Sequence, residues 1–120
     1  MSDRGSAAVE FALVVPLVLV ALLAIVETAV VGRTQLAVVS AAREGAREAA
    51  AHPDVDRAVD AVHQALGPEL AEAASVTVRR PGVVGEPAQV VVTVRHRVSA
   101  GFFGGFHIDL RGRAAMRVER

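Results

Sequence analysis

From Phe11 to Val26 the chain reads FALVVPLVLVALLAIV, with no polar side chain between Glu10 and Glu27. Carried back through Ser6-Ala7-Ala8-Val9, the run has about 21 residues, or roughly 31 Å of helix, enough to cross a hydrocarbon core. Leu, Val and Ala surround it on all sides, which excludes an amphipathic surface helix. Pro16 removes one backbone hydrogen bond within it, a loss that membrane helices tolerate better than soluble ones. A cleaved secretory signal is the competing reading. The apolar run is long for one, and Glu27-Thr28-Ala29-Val30-Val31-Gly32 is a poor cleavage site.

Beyond Gly32 the pattern turns amphipathic. Leu36, Val39, Ala42 (or Val38), Ala46 and Ala49 recur at steps of three and four, with Arg43, Glu44, Arg47 and Glu48 on the other side. The simplest expectation is one helix from about Ser6 to about Ala51. His52-Pro53-Asp54 breaks it, with Pro53 placed in the first turn of the next helix and Asp54 and Asp56 at its positive end. Val55, Ala58, Val59, Val62 and Leu66 form that helix's apolar stripe, and Gly67-Pro68 ends it. Residues 69–74 allow one more helical turn. Three stretches then alternate with period two: Ser75–Arg80, Ala88–Val98 and His107–Glu119. They predict a small antiparallel sheet with one buried face. The fold class expected is α+β: a long N-terminal transmembrane helix continuing into a small soluble domain with a short second helix and a three-stranded antiparallel sheet.

Composition narrows the chemistry. The 120 residues contain no Cys, Trp, Tyr or Lys, so there is no disulfide framework and no thiolate site. Thirteen arginines balance thirteen acids, and a neutral chain lacks the footprint of a general nucleic-acid binder. The neutrality is uneven: residues 33–74 hold four Arg and seven acids, residues 75–120 eight Arg and three acids. The basic strands have no interleaved Tyr or Trp for base stacking, so nucleic acid is not an expected partner. His52, His63, His96 and His107 are scattered without metal-ligand spacing. No nucleophilic triad or phosphate loop is patterned, and neither a metal, a cofactor nor an enzymatic activity is expected.

The segment Arg4-Gly5-Ser6-Ala7-Ala8-Val9-Glu10-Phe11-Ala12-Leu13 resembles the N-terminus of TadE-like proteins, minor pseudopilins of tight-adherence (Tad/Flp-type) pili. Ala41-Ala42-Arg43-Glu44-Gly45-Ala46-Arg47 is similar to the segment that follows the span in that family, and Arg113-Ala114-Ala115-Met116-Arg117-Val118-Glu119 to its closing strand. The resemblance implies a leader over residues 1–5, a transmembrane helix over 6–32 and a soluble, pilin-like domain over 33–120. It implies cleavage between Gly5 and Ser6 by a membrane-embedded aspartic prepilin peptidase. The other implied partners are pilins or pseudopilins, the pilus assembly platform and the membrane. The implied role lies in assembling a Tad-type pilus or a related secretion apparatus.

The physics of Glu10 agrees with that reading. A carboxylate at membrane depth is costly and usually has a partner. Cleavage after Gly5 would place an α-ammonium on Ser6, one helical turn from Glu10. The pair could form within one chain or between neighbours in a filament, where it would set axial register. An interfacial Glu10 near the positive helix end is the simpler alternative. Phe11, Leu36, Val39, Ala42, Ala46 and Ala49 are the candidate subunit-packing positions. Phe102, Phe103 and Phe106 sit between the last two strands, either as a partner-contacting tip or as a plug folded onto the core.

Orientation is contested by two signals. Arg4 precedes the span while Arg33, Arg43 and Arg47 follow it, which by charge places the C-terminal part in the cytoplasm. The family resemblance implies the reverse, with the C-terminal domain extracytoplasmic. An uncleaved single-pass anchor or adaptor with a small interaction domain is the alternative function.

Overall fold

The computed structural model describes residues 3–99 and 104–119. The elements are α1 (Asp3–Ala51), α2 (Val55–Leu66), α3 (Pro68–Glu72), β1 (Ala74–Arg79), β2 (Pro87–Ser99) and β3 (Gly105–Arg117). The chain divides into two units, Met1–Val31 and Gly32–Arg120. The α+β class and the element order are as the pattern predicts, with strand ends shifted by one or two residues.

The described residues of the first unit are helical throughout. Helix α1 runs through Pro16 without interruption. Thr28 Oγ1 donates to the Ala24 carbonyl at 2.8 Å, so the hydroxyl is satisfied within the helix. The apolar stretch is long and apolar enough to cross a membrane once, and none of it is buried in the chain's own fold.

The second unit is a helix–sheet sandwich. The strands lie in the order β1-β2-β3, antiparallel throughout. Val76 stands opposite Val92 and Val92 opposite Gly112, which puts even-numbered positions on one face and odd-numbered on the other. The even face meets α1 and α2. Its core is small-grained: the largest fully buried side chains are Val38, Val62, Val90, Val92 and Val94, among Ala41, Ala42, Ala46, Ala49, Ala58 and Ala88.

Small residues let the layers approach closely. A Cβ on Gly112 would lie 2.8 Å from the Val38 carbonyl oxygen, so β3 runs directly beneath the backbone of α1. A Cβ on Gly45 would meet Val62 Cγ2 at 2.5 Å and Val90 Cγ1 at 3.2 Å, marking the junction of α1, α2 and β2. The close neighbours of Gly45 are thus both a helix and a strand.

Helix ends are capped by both local and tertiary partners. Asp54 is the N-cap of α2, its Oδ1 accepting from Asp56 N at 3.0 Å, so Pro53 lies before the helix and not in its first turn. The C-terminus of α1 has no basic residue of its own in the last turn. Its carbonyls are taken by His52 N on Glu48 (2.9 Å), Arg80 Nε on Ala49 (2.7 Å) and Glu119 N on Ala50 (2.9 Å). One arginine thus satisfies an orphan acceptor and brings positive charge to the negative helix end.

Two large apolar side chains of this unit are not buried. Leu36 is 74% exposed, while Thr34, Val38 and Ala41 face the sheet in its stead. Val38, Ala42, Ala46 and Ala49 are buried, so the stripe of α1 departs from the one read off the sequence only at Leu36 and the half-buried Val39, where the Ala-rich helix carries little bulk to define a face. Met116, on the even face of β3, is 39% exposed, lying opposite Ala88.

Candidate functional site

The N-terminal candidates lie on one open stretch of helix. Gly5, Ser6 and Glu10 are exposed, and Ser6 and Glu10 are separated by one turn of α1. A Cβ on Gly5 would meet nothing within 4 Å among the described residues. Glycine inside a helix costs up to about 1 kcal/mol relative to alanine, and no packing in this fold requires it there. Gly5 differs in this respect from Gly45 and Gly112. Phe11, next to Glu10, is 71% exposed, as are Leu13 and Leu17 to a similar degree. Each such side chain gains about 1.5–3 kcal/mol when removed from water, so the helix surface is built for lipid or for neighbouring apolar helices.

The structure separates the expected subunit-packing positions into groups. Ala42, Ala46 and Ala49 are fully buried within the chain's own fold. Val39 is half-buried, while Leu36 and Phe11 keep most of their surface. The segment from Ala41 to Arg47 resolves into two sides of one helix. Ala41, Ala42, Gly45 and Ala46 face the core, and Arg43 and Arg47 face water. Arg47 Nη2 donates to Glu44 Oε1 at 3.2 Å across one turn of that outer side.

Of the aromatic candidates, Phe102 and Phe103 lie outside the described residues. Phe106 opens β3 opposite Val98 and is 54% exposed.

Among the described residues, no three His, Asp or Glu side chains come together as a metal-binding group. Two structural residues had only faint sequence signals. Gly112 interrupts the bulky positions on the inward face of β3, a sign of close backbone approach. Arg80 is one of several arginines, and nothing local singles it out.

Residues 5–47 match the model of a family described as TadE-like protein. The match takes in Gly5, Ser6 and Glu10 near one end and the Ala41–Arg47 segment at the other, so the resemblance holds over this part of the chain. It stops before α2 and the sheet, and the likeness noted at Arg113–Glu119 lies beyond it. No curated protein and no solved structure matches the chain.

Proposed function

We propose, from the TadE-like match over residues 5–47, that the protein is a minor pseudopilin of a Tad-type pilus or related secretion apparatus. It is made as a membrane precursor and cut between Gly5 and Ser6 by a prepilin peptidase. The observation that carries this reading is Gly5: a helical glycine with no neighbour to accommodate, five residues ahead of the Glu10 that precedes the apolar run. A peptidase that must close on the backbone benefits from a residue without a side chain, whereas the fold does not.

In this scheme the apolar helix holds the precursor in the membrane and the Gly32–Arg120 unit stands on the extracytoplasmic side. Cleavage adds the Ser6 α-ammonium, whose natural partner at low dielectric is the Glu10 carboxylate. The pair neutralises both charges and favours one axial position of the helix among its neighbours. Phe11 and Leu36 supply exposed apolar contacts. The role is structural: the chain is a substrate of the peptidase and a partner of other pilins and of the assembly platform.

Intact-mass analysis of the membrane-extracted protein, co-expressed with an aspartic prepilin peptidase, tests the reading. The expected product begins at Ser6, and Gly5→Leu blocks its formation. A chain that retains residues 1–5 under these conditions, or loses them equally well in Gly5→Leu, overturns the cleavage and leaves the uncleaved anchor or adaptor.

A further inference from the structure

The odd-numbered face of the sheet points away from α1 and α2, and its charge is nearly all of one sign. Arg79 on β1, Arg95 and Arg97 on β2, and Arg111, Arg113 and Arg117 on β3 all project there, and all six are exposed. Among the described strand residues, Asp109 is the only acid on that face. None of the six makes an ion pair among the described residues. None stands directly opposite another either: their cross-strand neighbours are Gln89, Asp109, His107, Thr93, Val91 and Pro87. Like charges placed directly opposite would weaken the sheet. The register spreads the positive charge over a flat surface and avoids those clashes.

The opposite side of the same compact unit is acidic. Glu44 and Glu48 of α1 and Asp60 of α2 line a surface groove with Arg57, whose Nε is already bound to Glu48 Oε1 at 3.2 Å. Asp56, Glu69 and Glu72 are exposed on α2 and α3. Arg43 and Arg47 also face water on this side, Arg47 bound to Glu44 Oε1 at 3.2 Å, so the helix side carries a surplus of carboxylates over arginines while the sheet side presents arginines with no ion pair among the described residues.

We infer that the arginine face of the sheet is a docking surface for the acidic α1–α2 side of a second copy of this chain. The two surfaces belong to different faces of one unit, so the contact is heterologous: each copy offers one and receives the other, and the association can extend beyond a pair. Charge complementarity of this kind speeds encounter and fixes which faces meet, and it weakens as salt screens it, the Debye length being about 8 Å at physiological ionic strength. The contact is independent of the pilus reading and of cleavage at Gly5.

The test uses the full chain in a non-ionic detergent, with association followed by sedimentation velocity at 50 and 500 mM NaCl. The wild type is expected to self-associate at low salt and to weaken at least tenfold at high salt. R111E/R113E and, separately, E44R/D60R should each lose roughly tenfold or more at low salt, since attractive pairs become repulsive. Far-UV circular dichroism checks folding, and R111Q/R113Q replaces the reversed pair if that one misfolds; it should weaken association in the same direction.

Association that survives both high salt and the reversals runs through another surface and overturns the inference. Binding that appears only on adding phosphatidylglycerol, and ignores Glu44 and Asp60, assigns the face to lipid headgroups and also overturns it.

Discussion

Replacing Gly112 with alanine puts a methyl group where α1 and β3 already touch. The added Cβ would lie 2.8 Å from the Val38 carbonyl oxygen and 3.0 Å from both its carbonyl carbon and Cγ1. Ordinary contacts of this kind are roughly 3.4–4 Å, so the layers must separate by about half an ångström or more. Two of the three obstructing atoms are backbone, and no rotamer change relieves them. Overpacking of this sort costs about 1–3 kcal/mol, offset by about 0.5–1 kcal/mol because alanine loses less backbone entropy than glycine in a strand. A net loss of about 1–2 kcal/mol follows, or roughly 5–15 °C in Tm for a domain of this size.

Gly45→Ala is the internal comparison. Its nearest obstacles are the side-chain ends of Val62 and Val90, and alanine in mid-helix gains about 1 kcal/mol over glycine. Its net cost should be the smaller of the two. The chain has no Trp or Tyr, so the assay is calorimetry or circular dichroism of the full chain in detergent, not intrinsic fluorescence. A Gly112→Ala protein as stable as the wild type, or more stable than Gly45→Ala, would refute the claim that contact between α1 backbone and β3 sets the layer spacing.

Three further outcomes follow from the helix ends and the surface. Arg80→Ala removes the donor to the Ala49 carbonyl and should lower stability by about 1–2 kcal/mol, the range for a partly buried charge-assisted bond; thermal unfolding reads it directly. Asp54→Ala strips the cap from α2 and should cost about 1 kcal/mol, with faster amide exchange confined to the first turn of that helix. Glu44→Gln breaks the pair with Arg47, but both side chains are largely exposed. Its effect on Tm should therefore fall within about 0.5 kcal/mol, and a larger loss would mean that the outer side of α1 is not simply solvated.

The apolar run, the amphipathic change after Gly32 and the alternating valines determine the element order, because each signal is local and repeats over many residues. The N-terminal segment around Gly5 and Glu10 was equally legible, being a spacing along one helix. The strands' periodicity also separated the valines of β2 from its arginines. Their concentration on one flat face required the pairing register of all three strands, since only the ladder fixes which residues stand side by side.

Other features could not be read locally. Whether Leu36 or Val38 faces inward depends on where the sheet lies, and a helix of alanines, valines and one glycine has too little contrast between its sides to specify that. The donor from Arg80 to Ala49 joins residues 31 apart, and Gly112 meets Val38 from the far end of the chain. The sequence alone determined a membrane-length helix, its continuation beyond the apolar run, and a helix–sheet domain. Tertiary structure decided which face of that helix is buried, how its C-terminal carbonyls are satisfied and how closely β3 approaches it. These depend on backbone contacts between distant segments, for which small side chains leave little trace in the pattern.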